Sequence, residues 1–229
     1  MSRLMGKQLA NLVLTDPPYG VSYVGKTPDR LRITSDDVSD TAPLLEGAFS
    51  NADRVLREGA GIYVFHPAGS NALVFLEEIV ARWDLQQLLV WMKDSMVLSH
   101  ADYHYAHEPI AYARKAVAGR RGRGAGGWYG GNARTTVFEV PRPKASPDHP
   151  TAKPVELLSR LIANSSIPGD VVLDPFLGSG STLIACEDLH RRSFGIEIDP
   201  AYVDVAVTRW ERFTGRKARP YRKRETGER

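Results

Sequence analysis

The chain has 229 residues, 42% of them hydrophobic, 25% charged, and a formal net charge of +3, enough apolar material for one substantial core and at most a small appended subdomain. No run of about 18 apolar residues occurs, and the first residues lack the apolar h-region of a signal peptide, so the expectation is a soluble intracellular protein with no membrane partner. The single cysteine, Cys186, excludes an intramolecular disulfide and a cysteine-rich zinc site, and its neighbours Leu183, Ile184 and Ala185 assign it to core packing.

The charge is unevenly spread. Residues 115–144 carry seven Lys/Arg against one acid and residues 212–229 carry eight against two, a combined +12 that leaves the remainder near −9. An acidic body with two basic appendages points to a polyanionic partner that touches defined surfaces.

In chain order, the apolar run Leu12-Val13-Leu14 leads into Thr15-Asp16-Pro17-Pro18-Tyr19-Gly20. It reads as a buried strand that stops abruptly, because two prolines lack N–H donors and cannot continue a ladder. A carboxylate, a stiff pair of carbonyls and an aromatic ring are thereby presented together at a strand end. That set suits a flat polar ring with an exocyclic amine, since the oxygens accept its N–H bonds and Tyr19 stacks on its face; a base drawn out of a nucleic acid helix is such a ring. The same residues would also serve as an ordinary loop opening.

Residues 21–40, rich in Gly, Pro, Asp and Thr, read as a connection or a lid beside the strand end. A helix is expected over Pro43–Arg57 and is ended by Gly59-Ala60-Gly61; a strand follows over Gly61–His66, a helix over Asn71–Trp83 and a strand over Leu85–Met92. Strands alternating with helices of this length imply βαβ units and a mostly parallel sheet covered on both faces, with ligands beyond the carboxyl ends of its strands. The histidine-rich stretch Ser99–Glu108 has no cysteine partner and no clean ligand register; it reads as a polar loop that lines a pocket and not as a metal site. Pro109–Arg114 resumes as a strand.

From Ala116 to Pro147 the composition shifts to Arg120, Arg121, Arg123, a run of glycines, Trp128, Tyr129 and Arg134. Glycine lets the backbone lie close to a phosphate chain, arginine neutralises it and aromatic rings stack on bases, so this segment reads as a nucleic-acid-reading insertion too short to be a domain of its own.

His149-Pro150-Thr151-Ala152-Lys153-Pro154 leads into a helix expected over Val155–Ser165. Then Val171–Asp174, the turn Pro175-Phe176-Leu177-Gly178-Ser179-Gly180 and a helix starting near Ser181-Thr182 make a strand–turn–helix cofactor site, with the helix N-terminus facing the ligand. A strand over Ser193–Ile198 carries Glu197, 23 residues after Asp174 and where a doubly wound fold grips ribose hydroxyls. Leu183 stands where a dinucleotide fingerprint needs its third glycine, and Asp174 would repel a pyrophosphate but suits an ammonium group. S-adenosylmethionine, an adenosine that bears an amino acid, meets both conditions.

Asp16-Pro17-Pro18-Tyr19 followed far downstream by Asp174–Thr182, with a basic insertion between them, resembles the amino-methylating DNA methyltransferases of the beta group, in which the catalytic motif precedes the cofactor motif. The resemblance also takes in Tyr63–His66, Trp91–Glu108, His149–Pro154 and Glu197–Tyr202. It implies a doubly wound, mostly parallel α/β sheet in permuted order: a catalytic half over 1–115, a target-recognition insertion over 116–148, a cofactor half over 149–214 and a basic tail over 215–229.

It further implies a flipped base held at Asp16, Pro17, Pro18 and Tyr19, and S-adenosylmethionine held by Asp174, Pro175, Phe176, Gly178, Ser179, Gly180, Ser181, Thr182, Glu197 and Asp199, with Thr151 and Lys153 closing over its methionine end. The resemblance also implies DNA contacts through Arg120, Arg121, Arg123, Trp128 and Arg134, and a reaction in which no metal takes part. Asp at the head of the first motif looks like the adenine-N6 members, whereas cytosine-N4 members more often begin with Ser; both attack through an exocyclic amine. Double-stranded DNA, a second copy of the chain and a cognate restriction nuclease are the partners so implied, in the cytoplasm of a bacterial or phage-infected cell. Members usually carry a Gly-Asp pair upstream of the catalytic strand; none precedes Asp16 here, so the expectation is a truncated start or a weaker grip on the cofactor. Two other readings compete: a glutamine side-chain methyltransferase, and a catalytically silent DNA-binding module.

Overall fold

The computed structural model describes residues 1–20, 38–97, 102–117, 126–143 and 152–220. Its elements, in chain order, are α1 (Ser2–Met5), β1 (Ala10–Thr15), α2 (Val38–Asp53), β2 (Leu56–Phe65), α3 (Ala72–Val80), β3 (Asp84–Val97), β4 (Tyr105–Arg114), β5 (Val137–Glu139), α4 (Val155–Ser165), β6 (Val171–Asp174), α5 (Ser181–Asp188), β7 (Arg192–Gly195) and α6 (Pro200–Thr214). Among the described residues no helix is long and apolar enough to cross a membrane.

The strands form one sheet in the order β5-β3-β4-β2-β1-β6-β7. β1 runs parallel to β2 and β6, β6 to β7, and β5 to β3, while β4 is antiparallel to both its neighbours. The mostly parallel α/β sheet read from the sequence is therefore present.

Alternation along the strands sorts two cores. Val13, Ile62, Val64 and Leu173 face α2 and α3, where they meet Leu45, Phe49, Phe75 and Ile79. Leu12, Leu14, Tyr63, Phe65 and Val172 face the other side, against Leu157, Leu158, Leu161 and Ile162 of α4 and Ala185 and Cys186 of α5. The central strands are apolar on both faces because helices cover both. Cys186 is fully buried, as its neighbours indicated.

Several boundaries differ from the sequence reading. α2 ends at Asp53, not Arg57, and the glycines after it are not a break: β2 starts at Leu56 and runs through them. The β1–β2 register jumps from Ala10↔Leu56 to Leu12↔Gly61, and Gly59 lies at φ 74°, so the glycines form a bulge within the strand. Gly61 is needed for a close approach, since a Cβ there would stand 3.1 Å from Ser165 Cβ. Pro43 sits inside α2, not at its start. β3 extends past Met92 to Val97, and β4 starts at Tyr105, inside the stretch read as a loop; their antiparallel pairing holds a ribbon together beyond the apolar segments. β7 stops at Gly195 because Asp199 and Pro200 open α6.

The segment after β4 leaves from the amino-terminal edge of the sheet. Lys115 N donates to Ala60 O, Arg114 hydrogen-bonds Gly126 O, and Tyr129 N donates to Asn164 O at the end of α4. The chain then supplies β5 along β3 and reaches the opposite edge, where Trp91 Nε1 donates to Val140 O at 2.8 Å and Arg142 N to Asp94 Oδ1 at 2.9 Å.

Gly180, which caps α5 at φ 81°, lies against α6, and a Cβ there would stand 2.9 Å from Ala206 Cβ. Gly180→Ala therefore combines a left-handed backbone with overpacking and lowers the unfolding free energy by about 1–3 kcal/mol, measured by urea denaturation.

Candidate active site

β1 and β6 are neighbours with Val13 opposite Leu173, so their carboxyl ends emerge side by side. A hydrogen bond ties them: Thr15 Oγ1 donates to Asp174 Oδ1 at 2.9 Å across 159 positions of sequence. The Asp-Pro-Pro-Tyr turn and the glycine turn thus share one edge and touch.

Asp16, Pro17, Pro18 and Tyr19 follow β1 directly, and Pro17 is buried beneath the turn. Tyr19 OH donates to Asp16 Oδ1 at 2.9 Å, its backbone carbonyl accepts from Asn71 Nδ2 at 3.1 Å, and its ring meets Phe75 edge-on at 6.0 Å. Lys153 Nζ lies 2.6 Å from Asp16 Oδ2 and 3.0 Å from Glu108 Oε2, over the rings of Tyr19 and Phe65. Glu108 Oε1 in turn receives Lys93 Nζ at 2.6 Å. Two carboxylates and two ammonium groups thus alternate across the pocket.

Lys153 and Lys93 side chains are only 10% and 6% exposed, so each charge depends on its partners. Burial pushes the Asp16 carboxyl up from the ordinary carboxylate value; Lys153 pulls it down and Glu108 pushes it up again. Burial also acts upward on Glu108, but Lys153 and Lys93 outweigh it and hold that carboxyl at about 2. Desolvation would lower Lys153, yet Asp16 and Glu108 raise it, so it stays charged. Burial and the two carboxylates keep Tyr19 a phenol. At neutral pH Glu108 and Lys153 carry opposite charges, and Tyr19 donates to Asp16.

The second group gathers on the β6–α5 and β7–α6 turns. Asp174 is buried and accepts from Thr15, from Thr182 and from Phe176 N at 3.1 Å. Desolvation pushes its carboxyl up to about 6, and among the described residues no ammonium or guanidinium pairs with it. Glu197 lies past the end of β7, not on the strand: its Oε2 accepts from Gly178 N at 2.7 Å and its Oε1 from Ile198 N and Asp199 N. The two turns are zipped by Leu177 N to Ile196 O and Ile196 N to Asp174 O. Leu177 packs where Gly195 has no side chain.

Ser179, through its carbonyl and hydroxyl, accepts from Arg209 Nη1 of α6 at 2.6 and 2.7 Å, with Ser181 Oγ 3.4 Å away. Asp199 caps α6 by accepting from Ala201 N. Pro175 is buried and Phe176 half-buried at the turn. Among the described residues the Asp174 carboxylate has no cationic partner and Glu197 keeps one lone pair, so a cationic amino acid fits beside the first and a ribose hydroxyl at the second.

Other expected residues are elsewhere. Arg120, Arg121, Arg123 and Thr151 lie outside the described residues. Trp128 and Arg134, expected as DNA contacts, lie on the segment between β4 and β5: the indole donates to Gly131 O at 2.8 Å and packs 6.1 Å from Tyr112, and Arg134 Nε donates to Gly130 O. Lys153, expected over the cofactor's methionine end, has its ammonium on Asp16. Glu108, Lys93, Asn71 and Arg209 were not singled out for these contacts by sequence reasoning. A lysine and a glutamate on adjacent antiparallel strands, Trp91 opposite Glu108, would have been the signal for the first two, had the direction of β4 been legible.

Comparison with known proteins agrees with this geometry. The model of a DNA methylase family, the N6/N4 type, matches residues 10–208. Type II methyltransferase M.HpaI of Haemophilus parainfluenzae is 29% identical over 221 residues, 87% of this chain and 67% of that protein. DNA adenine methyltransferase YhdJ of Escherichia coli is 26% identical, over 95% of this chain and 82% of its own length. Type II methyltransferase M.Cfr9I of Citrobacter freundii is 34% identical over 136 residues, 56% of this chain and 44% of that protein.

Among solved structures, the cytosine-N4-specific PvuII DNA methyltransferase superposes with a TM-score of 0.68 at 16% identity, covering 91% of this chain and 84% of its own. A putative DNA modification methylase from Thermus thermophilus, complexed with S-adenosyl-L-methionine, gives 0.63 at 22% identity, covering 90% and 87%. At those identities the structures attest the fold. With its two motif turns joined at one sheet edge and the family match running across nearly all of the described structure, the chain belongs to the DNA methylase family of the N6/N4 type.

Proposed function

We propose that this DNA methylase transfers a methyl group from S-adenosylmethionine to the exocyclic N6 amine of an adenine flipped out of double-stranded DNA. The observation that carries the reading is the contact between Thr15 and Asp174, which joins a base-accepting turn to a donor-accepting one. The acid that heads Asp16-Pro17-Pro18-Tyr19 and the likeness to the adenine methyltransferase YhdJ support adenine over cytosine.

In this reading the ionised Asp16 carboxylate and the Pro17 carbonyl accept the N–H bonds of the target amine, Pro18 stiffens the turn, and the Tyr19 ring stacks on the base. Bound along the glycine turn, S-adenosylmethionine supplies a methyl group activated on a sulfonium centre. Asp174 meets its ammonium, Glu197 its ribose hydroxyls, and Phe176, Gly178, Ser181 and Thr182 line the approach. The protein's contribution is positioning and electrostatic complementarity, both large effects in catalysis. The basic insertion, through Arg120, Arg121 and Arg123, supplies phosphate contacts. The type II relatives support a place beside a cognate nuclease in a bacterial cytoplasm.

Incubation with tritiated cofactor and mixed-sequence DNA, followed by nucleoside analysis, yields label in N6-methyladenine; label in N4-methylcytosine assigns the other base, and none in either rejects the reading. Asp16→Ala abolishes turnover and leaves cofactor binding by calorimetry nearly intact.

Replacing Arg120, Arg121 and Arg123 together weakens DNA binding and flattens the slope of log K against log salt by about 0.9 for each phosphate that is no longer neutralised.

The Asp174 carboxyl titrates at about 6, above its ordinary value of 3.8. A raised folded value means that its contribution to stability is complete below 3.8 and is lost as pH rises through 6; the ionised form then gains a cationic ligand. Cofactor affinity accordingly falls between pH 7 and pH 5 in the wild type, and Asp174→Asn, which is weaker throughout, removes that dependence in calorimetry.

A further inference from the structure

The reaction just proposed needs Asp16 ionised at the moment an amine arrives, yet its carboxyl, with the side chain 30% exposed, is partly withdrawn from water at the end of β1 and burial raises its pKa. Burial of this kind favours the protonated form, which presents an O–H where an acceptor is required. Among the described residues each Asp16 oxygen instead carries one donor: Tyr19 OH on Oδ1 at 2.9 Å and Lys153 Nζ on Oδ2 at 2.6 Å. A carboxylate oxygen accepts two hydrogen bonds, so both retain a lone pair for an incoming amine. Lys153 itself is fixed by a second acceptor, Glu108 Oε2 at 3.0 Å, and Glu108 is anchored on its other oxygen by Lys93 at 2.6 Å.

We propose that Lys153 and Glu108 are positioning residues for methyl transfer: Lys153 keeps Asp16 an anion with lone pairs free for the target amine, and Glu108, tied to Lys93, holds Lys153 in the pocket before the base enters. The proposal rests on the reading of Asp16 as the amine acceptor.

Among the described residues, three elements outside the Asp-Pro-Pro-Tyr turn bring charge to Asp16. The segment before α4 brings Lys153; β4 brings Glu108, with Lys93 behind it on β3; and β6 brings Asp174, whose carboxyl feels Asp16. Tyr19, on the turn itself, is a neutral donor. Lys153 is thus the cation in direct contact with Asp16, and Glu108 the nearest competing anion.

The arrangement has a signature that a merely structural ion pair lacks, because the two partners act on Asp16 with opposite sign. Removing Lys153 takes away the charge that favours the anion; removing the charge of Glu108 takes away one that disfavours it. In Lys153→Met the acid limb of the kcat/KM profile moves to higher pH by roughly 1–3 units, with most of the loss at pH 7 in kcat, and Lys153→Arg restores it in large part. In Glu108→Gln the same limb moves to lower pH.

The ligand-free protein provides an independent reading: carbon-13 NMR of the Asp16 carboxyl, assigned with Asp16→Asn, shows its midpoint rising in Lys153→Met and falling in Glu108→Gln. Far-UV circular dichroism checks the fold of each variant, and the milder Glu108→Gln carries the test if Lys153→Met unfolds. Midpoints that move in the same direction, or do not move, overturn the proposal. Opposed midpoints in a protein whose Asp16→Ala variant still methylates DNA leave the electrostatics standing and reject Asp16 as acceptor.

Discussion

The hydrogen bond from Thr15 to Asp174 is the constraint on which the rest depends. It exists because β1 and β6 are adjacent parallel strands of equal reach, so two turns that are far apart in sequence leave the sheet at the same place and in the same direction. Shared apolar strand faces set the register, and α4 and α5 on one side with α2 and α3 on the other hold it. The site is in this sense a by-product of the core: a slip of one residue between β1 and β6 would exchange their buried faces and separate the two carboxylates together.

Around that hinge the two halves of the site are built on different principles. The glycine turn is knit by backbone: Gly178 to Glu197, Leu177 to Ile196 and Arg209 to Ser179 give it a fixed shape with one buried carboxylate left for a cation. The Asp16 side is instead an electrostatic lattice of four alternating charges, in which the inner members Lys153 and Glu108 each serve two partners, so that taking away either strips Asp16 or Lys93 of the counter-ion it has among the described residues. A rigid cradle suits a ligand that must be held in one pose. A polarised surface suits, in the function proposed above, a base that must enter, be gripped and leave.

Much of this was legible in the chain. The two motif turns, α4 to the residue, the strand alternation and the burial of Cys186 follow from periodicity and from the chemistry of Pro, Asp and Gly. What was not legible depends on contacts between distant segments. The glycines at 59 and 61 look like a helix stop, but they serve a bulge and a close approach to Ser165 that only the folded sheet reveals. The antiparallel sense of β4 leaves no mark in a strand buried on both faces, so the pairing that brings Glu108 to Lys93 could not be read. The packing of the half-buried Trp128 ring on Tyr112 is likewise a contact between distant segments that the Gly- and Arg-rich surroundings do not announce.

The single thiol gives the fold a last property. Cys186 faces α4 and the sheet with none of its surface in water, and burial pushes its thiol up to about 12, so it is neither reachable nor ionised under ordinary conditions. In the folded chain the sulfhydryl is therefore shielded from alkylating reagents and peroxide, and becomes available to them only when α4 or α5 comes away from the sheet.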